Sequence, residues 1–278
     1  GGTSGTGGTG GMPGTGGGAE TNAVTVMTWN LEHFPKTSAA VGAAQTIIGS
    51  KQPDIIGLQE LNADSDAGFE QLLAAVPGYD GYQAFYGDGF VRVGVLFRTD
   101  RVILEDVRMK FNEDDYAFPR PMLAARVRSL ENSAYDFELG IVHLKAQLDD
   151  ESAARRRAAC VKIDTWIKEE QVAKADEDVV VIGDFNDKLT DPQQWNVFGP
   201  LLAPADGGFL TLPLEQAGGF TYIPFDSFID HVHVRGAALH ASSSAEVLPA
   251  EQMITGYETS VSDHRPVFAT LRFAEVSP

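Results

Sequence analysis

The sequence predicts one α/β domain in which two mixed β-sheets pack face to face with helices outside, a four-layered α/β sandwich. Apolar stretches of strand length alternate with stretches of helical periodicity over most of the 278 residues. The strands fall into two β-rich halves, each of which carries helices, and two sheets can bury their apolar faces against each other. With 43% hydrophobic residues, a domain of this size can build its core without disulfides or a structural metal.

Residues 1–22 are predicted to form a flexible tail or linker, and residues 23–278 the domain. Residues 1–18 are almost only Gly, Thr and Ser, which have nothing to bury. Such a segment suits an artificial extension or a natural tether. The tether interpretation predicts a secreted, periplasmic or surface-tethered protein. No apolar stretch in the sequence is long enough to span a membrane.

The first part of the domain alternates strands with helices. Residues 24–30 and 54–59 are short apolar segments that predict buried strands. Residues 37–51 are rich in Ala and predict a helix. Residues 67–76 carry apolar residues at helical spacing until a Pro-Gly pair ends the pattern.

The middle of the chain is richer in strands. A second long helix is predicted at residues 151–171, where acidic residues at the start complement the helix dipole. Its three arginines, residues 155–157, could form a phosphate patch or a solvated helix face, and the solvated face is the interpretation adopted. The strands predicted before this helix are residues 82–86, 91–98, 101–107, 122–127 and 137–144.

The last part is predicted to be strands separated by a long loop region. Residues 179–183 form a fully apolar strand pattern, and residues 185–228 hold most of the Gly and Pro of the second half. The final strands are predicted at residues 230–234 and 266–273. No internal repeat of fixed period is visible.

Charge and cysteine content exclude some classes of protein. The net charge of -18, from 39 acidic and 21 basic residues, argues against a broad basic surface for nucleic acid. It suits a site where acidic residues hold a cation. The single cysteine, Cys160, can form neither an internal disulfide nor a zinc cluster and is predicted to be a small buried helix residue.

Polar side chains recur at the ends of the apolar strands. Strand ends gathered at one edge of packed sheets form a cleft lined by rigidly held groups. Carboxylates with an amide suit Mg²⁺ or Mn²⁺, which prefer oxygen ligands. Any one of these residues alone could equally serve a turn or a helix cap. The set comprises Asn30, Glu60, His143, Asp184, Asn186, Asp230, His231, Asp263 and His264.

These residues stand in strings that resemble the successive signatures of the endonuclease/exonuclease/phosphatase superfamily. The order and spacing match along residues 24–273, so the resemblance implies the deoxyribonuclease I-like fold. The strings are Thr28-Trp29-Asn30-Leu31-Glu32, Gln59-Glu60, Val142-His143-Leu144, Gly183-Asp184-Phe185-Asn186, Ile229-Asp230-His231 and Ser262-Asp263-His264.

The resemblance implies a metal site. Glu60 would be the main metal carboxylate, helped by Asn30 and Asp263. The expected cofactor is Mg²⁺ or Mn²⁺, with Ca²⁺ as a further possibility. Glu32 is given no role, because neighbouring residues of a strand point to opposite faces.

The resemblance also implies catalytic roles. His264 would act on the attacking water or on the phosphate, with its imidazole oriented by Asp230. Asp184 and Asn186 would position the water and a phosphate oxygen, and His143 would donate to the phosphate.

Two basic residues are expected to bind substrate. Arg120 resembles an arginine that contacts phosphate in some members of the superfamily, and Lys145 is a candidate of the same kind. Roles for His33, His233 and His240 are not expected.

The predicted function is metal-dependent hydrolysis of a phosphodiester, with nucleic acid as the leading substrate. The alternative is a phosphatase or lipid phosphodiesterase that acts on inositol phosphates or, like a sphingomyelinase, on phospholipid head groups. An exposed aromatic loop would favour the lipid alternative, and Phe209, Phe220, Tyr222 and Phe225 lie in the long loop region. A binding module without catalysis is the third hypothesis, against which the complete set of site residues argues. Nothing in the sequence implies an oligomer.

Overall fold

The computed structural model describes residues 23–63, 66–85, 91–132, 135–174 and 178–273. The predicted tail, residues 1–22, lies outside the described residues. No helix in these ranges is long and apolar enough to cross a membrane.

The strands of the described residues form two mixed sheets of six strands each. The first sheet contains, in spatial order, β11 (Ser244–Val247), β12 (Val267–Arg272), β1 (Ala23–Phe34), β2 (Ile55–Asn62), β4 (Val91–Arg98) and β3 (Tyr79–Gln83). The second contains β5 (Val102–Lys110), β6 (Met122–Ser129), β7 (Asp136–His143), β8 (Val179–Asp184), β10 (Asp230–Arg235) and β9 (Gly207–Phe209). The pairs β1–β2 and β7–β8 are parallel, and the other strand pairs are antiparallel.

Helices complete the four layers. The helices are α1 (Ala40–Lys51), α2 (Ala67–Ala75), α3 (Asp150–Lys174), α4 (Gly199–Leu202), α5 (Leu212–Gln216), α6 (Ala237–Ser242), α7 (Ala250–Met253) and α8 (Tyr257–Ser260), with a 3-10 helix at Ile223–Phe225. Helices α1 and α2 cover the outer face of the first sheet, and α3 covers the outer face of the second. The predicted four-layered sandwich is therefore confirmed.

The central core lies between the two sheets. Val24 and Ile55 of the first sheet share one buried cluster with Ile141 and Ile182 of the second. Gly57 leaves room for the second sheet, because a Cβ there would stand 2.8 Å from Ile182 Cδ1. Cys160 is fully buried in α3, as predicted, and its burial raises the pKa of the thiol.

Several predicted segments differ from the structure. The strands expected at residues 24–30 and 54–59 continue to Phe34 and Asn62. The strand expected at residues 82–86 is β3 and begins earlier, because Gly78, at φ +93°, turns the chain directly after α2. The loop expected at residues 185–228 contains α4, β9, α5 and the 3-10 helix. The stretch between β10 and β12, which was given no element, contains α6, β11, α7 and α8. These elements have three to six residues each, too few for a visible period, and tertiary packing stabilises them.

The topology brings the polar strand ends to one edge of the sandwich. Because β1 and β2 are parallel, Asn30 and Glu60 lie at the same edge of the first sheet, where the regular pairing of the two strands breaks. His143 and Asp184 are paired in the same way at the ends of β7 and β8. Strand β10 is antiparallel to β8 and begins at this edge, with Asp230 opposite Asp184.

Candidate active site

A cleft of about 670 Å³ opens at this edge. Asn30 and Asp230 lie buried beneath it and contact the residues of its wall. Arg120 and Lys145 are not among the residues that line it. The predicted residues that line it are Glu60, His143, Asp184, Asn186, Asp263 and His264.

Asp230 and His264 form a buried pair at the base of the cleft. Nδ1 of His264 lies 2.8 Å from Oδ2 of Asp230. Burial on its own would lower the pKa of His264, but the charge and hydrogen bond of Asp230 raise it to about 10. Ser262 fixes the loop before β12, because its hydroxyl accepts from the His264 amide at 2.9 Å and donates to the Asn30 carbonyl at 2.6 Å.

Asp184 is held at the sharp end of β8. Its Oδ2 accepts from Nδ2 of Asn30 at 3.0 Å, and its Oδ1 accepts from the amide of Asn186 at 2.8 Å. Burial and the nearby charge of Asp230 raise the pKa of Asp184 to about 7. The preceding Gly183 has φ +151°, and a Cβ there would lie 2.0 Å from a main-chain oxygen, so this bend requires glycine.

His143 lies between two carboxylates. Its Nε2 lies 3.5 Å from Oδ2 of Asp184 and 3.7 Å from Oε1 of Glu60. Burial, and then the charge of Arg120, lower the pKa of His143 well below its usual value. Its buried Nδ1 has no hydrogen-bond partner among the residues that the structure describes.

The other side of the cleft suits a hard divalent cation. Glu60, Asp263 and Glu32 all line it, and Oε1 of Glu60 lies 3.4 Å from the amide nitrogen of Asn30. Burial raises the pKa of Asp263 to about 6; the charge of His264 opposes this rise and that of Glu32 adds to it. Carboxylate and amide oxygens are the ligands that Mg²⁺ and Mn²⁺ prefer, and the amide oxygen here is Oδ1 of Asn30, which accepts from the main-chain amide of Glu32 at 3.0 Å. The residues therefore fit the predicted metal.

A second group of ligand atoms lies deeper. Single ligand atoms of Asp184, Asp230 and His264 lie within 4.8 Å of one another. Asp184 bonds to Asn30, and Asp230 bonds to His264 through Oδ2. Oδ1 of Asp230 is buried and has no hydrogen-bond partner among the described residues, so this group is a second candidate for a metal site.

Glu32, for which no role is expected from the alternation of β1, lines the cleft. Glu32 and His33 have φ of +45° and +57°, which breaks the alternation on which the expectation rested. Oε2 of Glu32 accepts from the amide of Asp263 at 2.8 Å and from Nζ of Lys36 at 2.6 Å. The signal for Glu32 was its place in the Trp-Asn-Leu-Glu string. Tyr222, noted above only as an aromatic residue of the loop region, also lines the cleft, with its ring 4.9 Å from that of His264.

Two arginines fix the loop after His143. Arg120 donates from Nε to the carbonyl of His143 at 3.1 Å and from Nη2 to the carbonyl of Leu144. A direct phosphate contact by Arg120 or Lys145 stays a prediction.

Arg156 extends this anchoring, and the solvated-face interpretation is wrong for it. It is only 3% exposed. It binds the carboxylate of Asp187 at 2.8 Å and the carbonyls of Lys145 and Gln147 at 2.9 and 2.7 Å. Arg156 lies on the inward face of α3, because successive residues of a helix point in different directions, whatever their residue types.

Comparison with known proteins gives one family and several similar folds. The model of the Endonuclease/Exonuclease/phosphatase family matches residues 27–264. A search of curated proteins found no match. The human Nocturnin catalytic domain with bound sulfate is 18% identical, with 91% of this chain and 95% of that chain covered and a TM-score of 0.67.

Two further solved structures have the same fold. An endonuclease/exonuclease/phosphatase from Bacteroides vulgatus is 18% identical, covering 91% of this chain and 99% of that chain, with a TM-score of 0.65. D. rerio TDP2 complexed with single strand DNA product is 18% identical, covering 89% and 98%, with a TM-score of 0.64. The family model spans most of the domain, and the chain therefore belongs to the endonuclease/exonuclease/phosphatase family.

Proposed function

We propose that this protein is a divalent-metal-dependent phosphodiesterase that cleaves nucleic acid. Family membership supports phosphoester hydrolysis. The observation that carries the proposal is the cleft in which the Asp230–His264 pair and the buried Asp184 stand beside Glu60 and Asp263. Such a cleft offers a cation site and proton-transferring groups within reach of one phosphate.

The cation would be held by Glu60, with Asn30 and Asp263, and Glu32 would add negative charge beside them. Mg²⁺ or Mn²⁺ is the expected ion, and Ca²⁺ would fit the same oxygen ligands. When bound, the ion polarises a phosphoryl oxygen and offsets the charge that develops there.

The chain's own residues would position and activate the water. Asp184, fixed by two N–H donors, accepts the proton of a water that Asn186 helps to hold. The water oxygen forms a bond to phosphorus in line with the leaving oxygen, whose bond to phosphorus breaks and which takes a proton from solvent. His264, kept protonated by Asp230, donates from Nε2 to a phosphate oxygen, and the neutral His143 donates to another.

A phosphatase or lipid phosphodiesterase is the second candidate. The observation in its favour is Phe225, an aromatic residue at the cleft that is 75% exposed. The DNA product bound by D. rerio TDP2, a protein of the same fold, supports the nucleic-acid assignment instead.

Export or surface tethering is proposed only from the composition of residues 1–18. A natural host that keeps the protein in its cytoplasmic fraction would contradict it.

An activity screen with a matched pair of variants tests the proposed function. The protein is assayed on DNA, RNA, sphingomyelin and inositol phosphates with Mg²⁺, Mn²⁺ or a chelator. Asp184→Asn should lower turnover by about 10²–10⁴-fold, the usual contribution of a proton-transferring group. Asp80→Asn, an exposed position on β3, serves as the control. Unchanged turnover in chelator, or a fully active Asp184→Asn variant, would contradict the proposal.

A further inference from the structure

Three rings lead from the base of the cleft to solvent. The His264 and Tyr222 ring centroids lie 4.9 Å apart, and those of Tyr222 and Phe225 lie 5.8 Å apart. His264 is 5% exposed, whereas Phe225 is 75% exposed. The turn that carries the outer rings is fixed, because Tyr222 and Ser227 exchange main-chain hydrogen bonds of 2.8 and 3.2 Å. The backbone that carries the exposed ring is thus closed into a turn by its own hydrogen bonds.

A second apolar residue lines the same cleft from a different loop. Leu148, between β7 and α3, is 96% exposed. Isolated exposed apolar side chains are common on proteins. Here, however, Leu148 and Phe225 both line the cleft that contains the reacting groups, which indicates an apolar contact for part of the substrate.

The cleft offers few contacts for additional phosphates. Among the described residues that line it there is no Lys or Arg. The nearby Lys36 is bound to Glu32, and Arg265 is bound to Glu251 and lies 3.7 Å over the Phe220 ring. Duplex DNA and polyphosphates are bound chiefly through several phosphates. The cleft is therefore better matched to a substrate with one phosphoester beside an apolar group.

The charge at the rim favours a base over a membrane. Asp226 follows Phe225, and Asp149 and Asp150 follow Leu148, all in exposed positions. Insertion of either tip into a bilayer would bring carboxylates to the headgroups, where anionic lipids repel them and desolvation is costly. A nucleobase, in contrast, needs only one accessible ring face.

We propose that Tyr222 and Phe225 form a stacking subsite for an unpaired nucleobase next to the cleaved phosphoester, with Leu148 as an additional apolar contact. The preferred substrate is then single-stranded nucleic acid, since bases in a duplex are already stacked on their neighbours. This inference rests on the proposed function and specifies which part of the substrate, an unpaired base, the cleft recognises.

Oligonucleotides with and without a base test the subsite. Single-stranded DNA and RNA are prepared with either a normal or an abasic residue beside the cleaved bond. Stacking contributes about 1–3 kcal/mol per base, which is about 5- to 150-fold. Phe225→Ala should lower kcat/KM by this factor on the normal oligonucleotide, removal of the base should do the same to the wild type, and the two losses should not multiply. Trp195→Ala, at a position 56% exposed that does not line the cleft, should leave kcat/KM unchanged.

Several results would overturn the subsite. If Phe225→Ala lowered kcat/KM equally on normal and abasic oligonucleotides, Phe225 would not stack on a base. A loss confined to sphingomyelin vesicles would assign Phe225 to a membrane contact, and duplex DNA cleaved as fast as single strands would refute the preference for unpaired bases. Metal-dependent turnover of another phosphoester with no cleavage of nucleic acid would reject the subsite but keep the phosphoester hydrolase, whereas no turnover of any phosphoester would reject the proposed function itself.

Discussion

Loss of the hydrogen bond between Asp230 and His264 should lower turnover far more than it lowers the stability of the fold. Asp230 is fully buried, and its Oδ2 lies 2.8 Å from Nδ1 of His264. Asp230→Asn keeps the size of the side chain but removes the charge that orients the imidazole and keeps it protonated. We expect kcat to fall by about 10³–10⁴-fold, as for other orienting carboxylates, which is about 4–5.5 kcal/mol in activation free energy.

The effect on stability should be much smaller than the effect on turnover. Oδ1 of Asp230 is buried and has no hydrogen-bond partner among the described residues. In Asp230→Asn, the new NH₂ group can take the place of Oδ1, where it has no acceptor. If it takes the place of Oδ2 instead, it faces Nδ1 of His264, which must then be unprotonated to accept its hydrogen bond. An unsatisfied buried donor costs about 1–3 kcal/mol. For a domain of this size that is a decrease of about 2–12 °C in Tm, so the variant should stay folded at 25 °C.

A double-mutant cycle provides the assay. kcat is measured for Asp230→Asn, His264→Ala and the double variant, and circular dichroism confirms that each is folded. If the two residues act as one unit, the double variant should lose little more than either single variant. Losses that multiply, to about 10⁶-fold or more, would show that the residues act independently and would refute this role for Asp230.

Three further predictions concern stability and substrate binding. Arg156→Met should lower the free energy of unfolding, measured in urea, by about 3–5 kcal/mol, because a buried carboxylate loses its partner. The exposed Arg157→Met control should change it by no more than about 0.5 kcal/mol, and an equally small change for Arg156→Met would contradict the prediction. Gly183→Ala should cost more than about 1 kcal/mol and lower kcat, because its Cβ would meet a main-chain oxygen at 2.0 Å, whereas Gly49→Ala, with nothing within 4 Å, should do neither. DNA binding by inactive Asp184→Asn at constant Ca²⁺ should show a log–log salt slope of about -1 to -4, since few phosphates are contacted; a slope near about -10 would reveal a basic groove.

The sequence was sufficient for the strand ends that build the site. Each apolar strand is long enough to show its pattern. His143 and Asp184 are the last residues of β7 and β8, and Asn30 and Glu60 stand where the regular pairing of β1 with β2 breaks. Parallel pairing then places these ends at one edge, which is a property of the topology and not of any single motif. The order of the short motifs along the chain indicated the family, which hydrophobic periodicity alone does not determine.

Local backbone conformation explains why Glu32 was missed. Two successive residues with positive φ reverse the expected direction of the side chains at the end of β1. Glu32 is not a residue type that signals such a conformation. The rule of alternating faces therefore failed at the point where the strand enters the site.

Tertiary packing explains the remaining differences. Three consecutive arginines in α3 give no indication of which one faces a neighbouring loop, and only the packing of the helix directs Arg156 to Asp187. The short elements between residues 185 and 265 are held by buried residues such as Leu201, Phe209 and Tyr257. Their own sequences are too short to predict them.

Metal binding by Glu60 tests the central claim most directly. Mg²⁺ or Mn²⁺ is titrated by calorimetry into chelator-treated wild type, Glu60→Gln and the exposed α2 control Glu70→Gln, and turnover is measured on the same samples. We predict that wild type and control bind the ion and regain turnover. Glu60→Gln should stay inactive, and its metal affinity should fall further than the roughly 10–100-fold loss that is typical when an outer-shell partner is replaced. Turnover that resists the chelator, or a Glu60→Gln variant with wild-type metal affinity and activity, would contradict the account.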